Sequence, residues 1–428
     1  MPRPTVLIGF AEALAAPETA WSLIDGGYQV AAFARRGQGC ALRHSRYVTC
    51  HEISAPESNL EAALAELRSL MTSLAAKDSA PRILLPLDDK AVWLCNAAGS
   101  GPDWLTAGPS DALTELALDK RFQIEAATDA GFDVPQTLVA RNANDVLGFV
   151  ADRDFPVILR PAECVPVKDG RIYSCRKWVC ADQHELEKAL AEWNGSVPLL
   201  VQPFIEGTGE GVFGLATPNG IRAWSAHRRL RMMNPQGSGS SACISAAIPG
   251  ELKTKAEALI QKTGWRGLFM IELLRDRAGT PWFVELNGRP WGSMALSRRQ
   301  GLEYPAWQVK LRLDPESPAG LAPARSREVV CRNAGREFMH LLFVLRGARS
   351  KALRNWPSFW KAAAEVIRIR RRDTFYNWRR DDWRVFFADF YYTVRGNVLK
   401  GKTVPRTVAT ETPEKPLAKA HGREELAE

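Results

Sequence analysis

The 428-residue sequence contains no apolar run approaching the ~18 residues that a membrane-spanning helix needs. The early stretch Val6-Leu-Ile-Gly-Phe10 is too short for the core of a signal peptide. The eight cysteines are scattered, without a Cys-x-x-Cys pair. Neither a zinc site nor a disulfide framework is indicated, and the expectation is a cytoplasmic protein with reduced, buried thiols. There is no Gly-x-Gly-x-x-Gly, so no dinucleotide is assigned to the N-terminal region.

With 46% hydrophobic and 25% charged residues, the composition is that of an ordinary globular chain. Its length predicts about three domains. Thr5–Phe10, Tyr28–Phe33 and Arg82–Pro86 read as short buried strands, with helices between them and Asp88-Asp89 opening another. Strands alternating with helices predict a parallel sheet. Arg35, Arg36, Arg43, His44 and Arg46 read as a solvated basic loop. Asp111 to Gly131 reads as one helix stopped by Gly131.

The stretch from Phe269 to Arg289 predicts a hairpin, with a turn over Asp276–Gly279. Side chains alternate along a strand, so Glu285, Asn287 and Arg289 point the same way, and Glu272 lies on the first strand. Two carboxylates and an amide oxygen form an oxygen-only set suited to Mg²⁺ or Mn²⁺. The alternative is an amphipathic hairpin with a solvated face. Phe155-Pro-Val-Ile-Leu-Arg160 reads as a buried strand ending in a cation, either for an anion or for a structural ion pair. Gly220–Arg231 reads as a strand entering a basic cluster, followed by the polar Gly/Ser loop Asn234–Ser241. That loop offers free N–H donors, and Arg228, Arg229 and Arg231 offer charge. A lone His227 packs or caps more often than it catalyses.

In order and spacing, Pro156–Arg160, Leu199–Gly207 and the hairpin resemble the ATP-grasp superfamily over residues 5–310. The nearest branch is that of carbamoyl phosphate synthetase and biotin carboxylase. The resemblance implies an α/β and α+β protein: an ATP-grasp fold behind an N-terminal Rossmann-like pre-ATP-grasp domain. The expected divisions are a pre-ATP-grasp domain (1–110), two ATP-grasp subdomains (111–200 and 201–313), a linker (314–335) and a basic helical extension (336–402). A disordered tail (403–428) would follow. Alone, Lys120 is a surface residue; the resemblance makes Lys120 and Arg160 phosphate contacts. It places Gln202, Phe204 and Ile205 around the adenine, and Glu210 on the ribose with Glu206 as its competitor. Glu272, Glu285 and Asn287 become the metal ligands, and Arg289, Arg229 and Arg231 stabilise the migrating phosphoryl group. The implied activity is ATP-dependent joining of a small carboxylate to an amine through an acyl phosphate, with ATP and Mg²⁺ or Mn²⁺. Carboxylation through carboxyphosphate and ATP binding without turnover are the alternatives. The second is favoured by the loop Ala162–Arg171, which holds only Gly170 where relatives carry a glycine-rich phosphate lid.

The net charge of +9 is concentrated at the end of the chain. Arg336 to Lys402 holds sixteen Lys and Arg against six Asp and Glu, a net +10, interleaved with Trp, Tyr and Phe. Two readings stand: amphipathic helices packed on the ligase body, or a face for an anionic membrane, peripheral at the inner surface. No nucleic-acid motif accompanies the charge, and nucleic acid is not expected.

Overall fold

A computed structural model describes residues 3–400 apart from 77–79, 100–102, 169, 174–175, 194, 238, 319, 321–327, 349–350 and 354. The expected tail and part of the expected linker therefore lie outside the described residues. The first sheet is parallel, as the alternation of strands and helices predicts. It comprises β1 (Thr5–Gly9), β2 (Gln29–Arg35), β3 (Thr49–Ile53), β4 (Arg82–Pro86) and β5 (Trp104–Thr106), in the order β3-β2-β1-β4-β5. Helices α1 (Ala16–Asp25), α2 (Leu60–Ala75) and α3 (Asp89–Ala98) cover it. Both faces are buried, so the alternate residues of β1 divide between two cores. Leu7 joins α2 and α3, while Val6 and Ile8 join α1. Asp88 caps α3, its side chain accepting from the Ala91 N–H.

Arg35 departs from the solvated basic loop expected of it. It stands at the carboxyl end of β2, only 12% exposed, with ion pairs to Glu12, Glu57 and Asp88. The expected helix Asp111–Gly131 is also two helices, α4 (Ala112–Leu118) and α5 (Lys120–Asp129). They break at Asp119, whose backbone is extended and whose carboxylate caps α5 by accepting from the Arg121 N–H. After that break Lys120 opens a new helix and is buried, 8% exposed.

A second sheet of four antiparallel strands runs β10-β7-β11-β6: β6 (Leu138–Ala140), β7 (Val157–Pro161), β10 (Trp178–Cys180) and β11 (Leu199–Pro203). Between β7 and β10 lies a small hairpin, β8 (Val167–Lys168) and β9 (Arg171–Ile172). One face, with Val157, Leu159, Leu199 and Val201, packs on α6 (Ala143–Val150) and α7 (Gln183–Trp193). The other carries Ile158, Arg160, Leu200 and Gln202, which lie opposite one another across β7 and β11.

The third sheet has seven strands in the order β16-β15-β12-β13-β14-β17-β18. These are β12 (Thr208–Thr217), β13 (Gly220–Met232), β14 (Ser240–Ser245), β15 (Gly267–Arg275), β16 (Pro281–Asn287), β17 (Val330–Arg332) and β18 (Asp373–Phe375). Val212, Phe269, Ile271 and Leu273 face α8 (Gly250–Lys262), while Phe213, Leu215, Leu268 and Met270 face α9 (Met294–Arg299) and α10 (Tyr304–Leu313). The C-terminal part adds α11 (Ala334–Arg346), α12 (Phe359–Ile367) and α13 (Arg384–Lys400). It is helical as expected, but β17 and β18 also complete the large sheet.

Candidate active site

The large sheet builds its functional face from residues that stand opposite one another. On the face shared with Met270 lie Glu272 of β15 and, directly across, Glu285 of β16; Asn287 lies across from Met270. The register then skips Val284, a one-residue bulge in β16. The Val284 carbonyl accepts from Arg160 Nη2 at 3.1 Å, which ties β7 of the small sheet to β16 of the large one. The two carboxylates and the amide therefore sit at the junction of the two sheets. Asn287, which is buried, donates from Nδ2 to Glu285 Oε1 at 2.9 Å.

Next to Glu272 on this face, β12 presents Gly211 and Gly209, and β13 presents His227 and Arg229. The glycines make a trough. Arg229 crosses Gly209 so closely that a Cβ there would meet its Cδ at 2.5 Å, and its Nη2 reaches Glu272 Oε1 at 2.7 Å. His227 Nδ1 lies 2.7 Å from Ser293 Oγ. Burial and the Arg229 charge push His227 down to about 3, so it is a neutral imidazole at physiological pH and a weak base.

Lys120 is brought to the same junction by Gln123. One turn along α5, the Gln123 amide accepts from the Leu286 N–H at 2.9 Å and donates to the Leu286 carbonyl at 3.0 Å. Lys120 Nζ lies 2.9 Å from Cys164 Sγ, on the loop after β7. Burial pushes Cys164 up to about 11, so at neutral pH it is a thiol and the carboxylate facing Lys120 is Glu285. Arg289 is held by Asp89, Nε to Oδ1 at 2.6 Å, from the first turn of α3.

Glu285 is the electrostatic centre of the group. Its charge acts on Lys120, Arg160, Arg229 and Arg289 alike. Burial pulls Arg160 below its ordinary value despite Glu285 and Glu272. Burial opposes Arg229 and Arg289 too, but Glu272 and Asp89 outweigh it and both are shifted upward. The Nε atoms of Arg160 and Arg229 are buried without a hydrogen-bond partner among the described residues. Four cations around an oxygen-only set, two of them with unused buried donors, fit a polyanion and a hard divalent cation. Glu272, Glu285 and Asn287 would hold the metal. Among the described residues no group of three or more His, Cys, Asp or Glu offers an all-protein cage. Such a two-carboxylate site suits Mg²⁺ completed by substrate oxygens and water.

Not every residue singled out in the sequence comes to this point. Arg231 is the clearest departure. A bulge in β13 between Arg229 and Arg231 turns it to Glu337 of α11, Nη2 to Oε2 at 2.6 Å, where Arg332 and Ser241 also bind. It fixes the C-terminal part to the sheet. Arg228 is exposed. Glu210 is gripped by Arg275, with Nε 3.0 Å from both carboxylate oxygens, and Glu206 by Arg277 and Asn355. Gln202 is buried on the cleft face and donates to Thr137 Oγ1 at 2.6 Å. Phe204 and Ile205 are half-buried just beyond β11, and the Phe204 N–H donates to the Pro156 carbonyl. The loop after β7 is anchored by Val165 and Ile172, which enter the core of the first sheet. Sequence reasoning missed Asp89, Cys164, Gln123 and Ser293. Only Asp89 carried a signal, as a second carboxylate at a helix start. A cavity of about 400 Å³ lies beside the junction rather than over it, bounded by Lys177, Trp178 and Lys188 and by Asn234 and Gln236 of the Gly/Ser loop.

No protein-family model matches the chain, and no curated protein does. Solved structures do. An L-amino acid ligase from Bacillus licheniformis aligns with a TM-score of 0.55 at 15% identity, over 77% of this chain and 79% of its own. The biotin carboxylase of Campylobacter jejuni, complexed with β-γ-ATP, aligns at 0.56 and 16%, over 76% and 74%. An ADP complex of N5-carboxyaminoimidazole ribonucleotide synthetase aligns at 0.55 and 13%, over 85% and 96%. The chain has the ATP-grasp fold.

Proposed function

We propose that this protein is an ATP-dependent carboxylate–amine ligase that works through an acyl phosphate and releases ADP and phosphate. The observation that carries the reading is the cross-strand pair Glu272 and Glu285, with Asn287, ringed by Lys120, Arg160, Arg229 and Arg289 at the junction of the two sheets. Phosphoryl transfer needs mainly positioning and charge neutralisation, and this residue set supplies both. Lys120 and Arg160 neutralise the phosphates of ATP. Phe204 and Ile205 flank the base. Glu272, Glu285 and Asn287 would hold Mg²⁺, which when bound would supply neutralisation of phosphate charge. The substrate carboxylate attacks the γ-phosphorus of ATP, the bond to the bridging oxygen breaks, and ADP leaves. Arg229 and Arg289 stabilise the charge on the transferred phosphoryl group. The amine then adds to the acyl carbon and expels phosphate, losing a proton to solvent. His227 is too weak a base to take that proton.

A second reading, nucleotide binding without turnover, is favoured by the anchored, Gly-poor loop after β7. An ADP-release assay with MgATP across a panel of amino acids and short carboxylic acids tests the proposal. Release dependent on both a carboxylate and an amine supports ligation. Release dependent on bicarbonate alone points to carboxylation, and tight ATP binding with no release points to the second reading.

A further inference from the structure

The C-terminal part packs on the body of the protein along one side of α13 and leaves apolar side chains exposed on another. The inner face of α13 packs on the N-terminal part: Val385 meets Trp21 of α1 and Ala41, and Asp382, just before the helix, accepts from Trp21 Nε1 at 2.9 Å. The outer face of the same helix carries Phe387, Phe390 and Tyr391, three and four residues apart and therefore in one stripe, and Trp383, just before the helix, joins it with its ring 5.8 Å from that of Phe387. Trp383 is 49% exposed and Phe387 57%. Phe338 of α11 lies 6.0 Å from Phe390 and extends the stripe to Leu345, which is 65% exposed. On α12, Trp360 and Ile367 stand seven residues apart on one side, 80% and 76% exposed, followed by Ile369. Arg346, Arg368, Arg370, Arg371, Arg384 and Arg395 are exposed among them.

We propose that α11, α12 and α13 form a docking face for an anionic membrane surface. Three features select this occupant. Bulky aromatic side chains among arginines are the ones that settle at a headgroup boundary. The excess charge of the whole chain resides here, so the attraction is for anions. A second copy would set these arginines against one another, and like charges disfavour that pairing. Among the described residues no helix is long and apolar enough to cross a bilayer, so the attachment is peripheral. The face also adjoins the proposed chemistry. The inner side of α11 holds Arg231 through Glu337 and the Ser240 carbonyl through Arg336, so docking would bring the β13–β14 wall close to the lipid surface.

The test is flotation of the full-length protein with vesicles of phosphatidylcholine alone or mixed with phosphatidylserine at about 7:3, at low and moderate salt. The expected result is flotation with the anionic vesicles only, weakened by salt. Arg368→Glu/Arg370→Glu/Arg371→Glu should lower partitioning by roughly a hundredfold or more, and Trp360→Ser/Phe387→Ser should lower it with the charge intact. All five side chains are exposed, and an unchanged thermal melt confirms that the variants fold. Failure of the wild type to float with anionic vesicles at low salt overturns the proposal. So does equal binding to neutral vesicles, or a concentration-dependent dimer that the same substitutions abolish without vesicle binding. Because the readout is binding, it stands or falls apart from the ligase reading.

Discussion

Replacing Glu285 with Gln separates two roles that the same geometry permits: metal ligand, or counter-charge for the surrounding cations. Gln keeps the size and an oxygen but removes the charge that acts on Lys120, Arg160, Arg229 and Arg289. If Glu285 binds metal, the gain in ATP affinity on adding Mg²⁺ falls by at least roughly 10–100-fold, the cost of losing even an outer-shell partner. Metal-free ATP moves the other way. A unit charge at contact range is worth up to about 4 kcal/mol near a protein surface, so removing a carboxylate beside a bare triphosphate relieves repulsion. ATP in EDTA therefore binds the variant at least as tightly as the wild type. The fold survives, because Glu272 still faces Arg160 and Arg229; the expected stability loss is about 1–3 kcal/mol. Calorimetric titration of ATP with and without Mg²⁺, beside a thermal melt, reads all three quantities. An unchanged Mg²⁺ increment in a folded variant refutes the metal role.

Arg160→Lys should retain ATP binding, since a cation remains at the strand end, whereas Arg160→Gln should weaken it by roughly 10–150-fold in an equilibrium titration. Gly209→Ala puts a methyl against the Arg229 stem at a position of ordinary φ, so a flexible side chain yields rather than the backbone. Turnover should fall, with KM for ATP and melting temperature little changed. Glu337→Gln leaves Arg231 inside without its buried carboxylate, while Arg332 keeps Asp373, at a cost of about 3–5 kcal/mol in denaturant unfolding. Burial raises the Glu337 carboxyl, but Arg231, Ser241 and Arg332 outweigh it and the net shift is downward. Its stabilisation is therefore complete at neutral pH and lost as pH falls through and below the ordinary carboxylate range, a loss absent from the variant. His227 acts in the same direction in mild acid. The unfolded chain takes up a proton near pH 6.5 that the native ring refuses, so stability falls with pH, and His227→Asn removes that component.

Local pattern was enough for the hairpin. Alternation alone put Glu285 and Asn287 on one face, and the structure sets Glu272 across from Glu285. The buried strand ending at Arg160 and the helix starting at Asp88 were legible for the same reason: their determinants lie within a few residues. What the sequence withheld were partners far along the chain. Arg289 meets Asp89 across 200 positions, and Arg231 meets Glu337 across 106, after a bulge that no periodicity announces. Lys120 reads alone as a surface side chain, and its burial depends on the break at Asp119 and on Cys164, 44 positions away. The aromatic C-terminal part resisted assignment because α13 is apolar on both sides, one side for the body and one left exposed.

The transfer of oxygen from substrate to phosphate tests the central claim most directly. The protein is incubated with MgATP, an amine-containing pool, and amino acids and short acids labelled with ¹⁸O in their carboxyl groups, and the released phosphate is analysed by mass. An acyl phosphate formed at the Glu272, Glu285 and Asn287 site carries one carboxyl oxygen into the phosphate. The expected result is phosphate with a single ¹⁸O, appearing with ADP and lost in Glu285→Gln. Phosphate bearing only oxygen from ATP and water, or no phosphate from a protein that binds MgATP tightly, contradicts the ligase account.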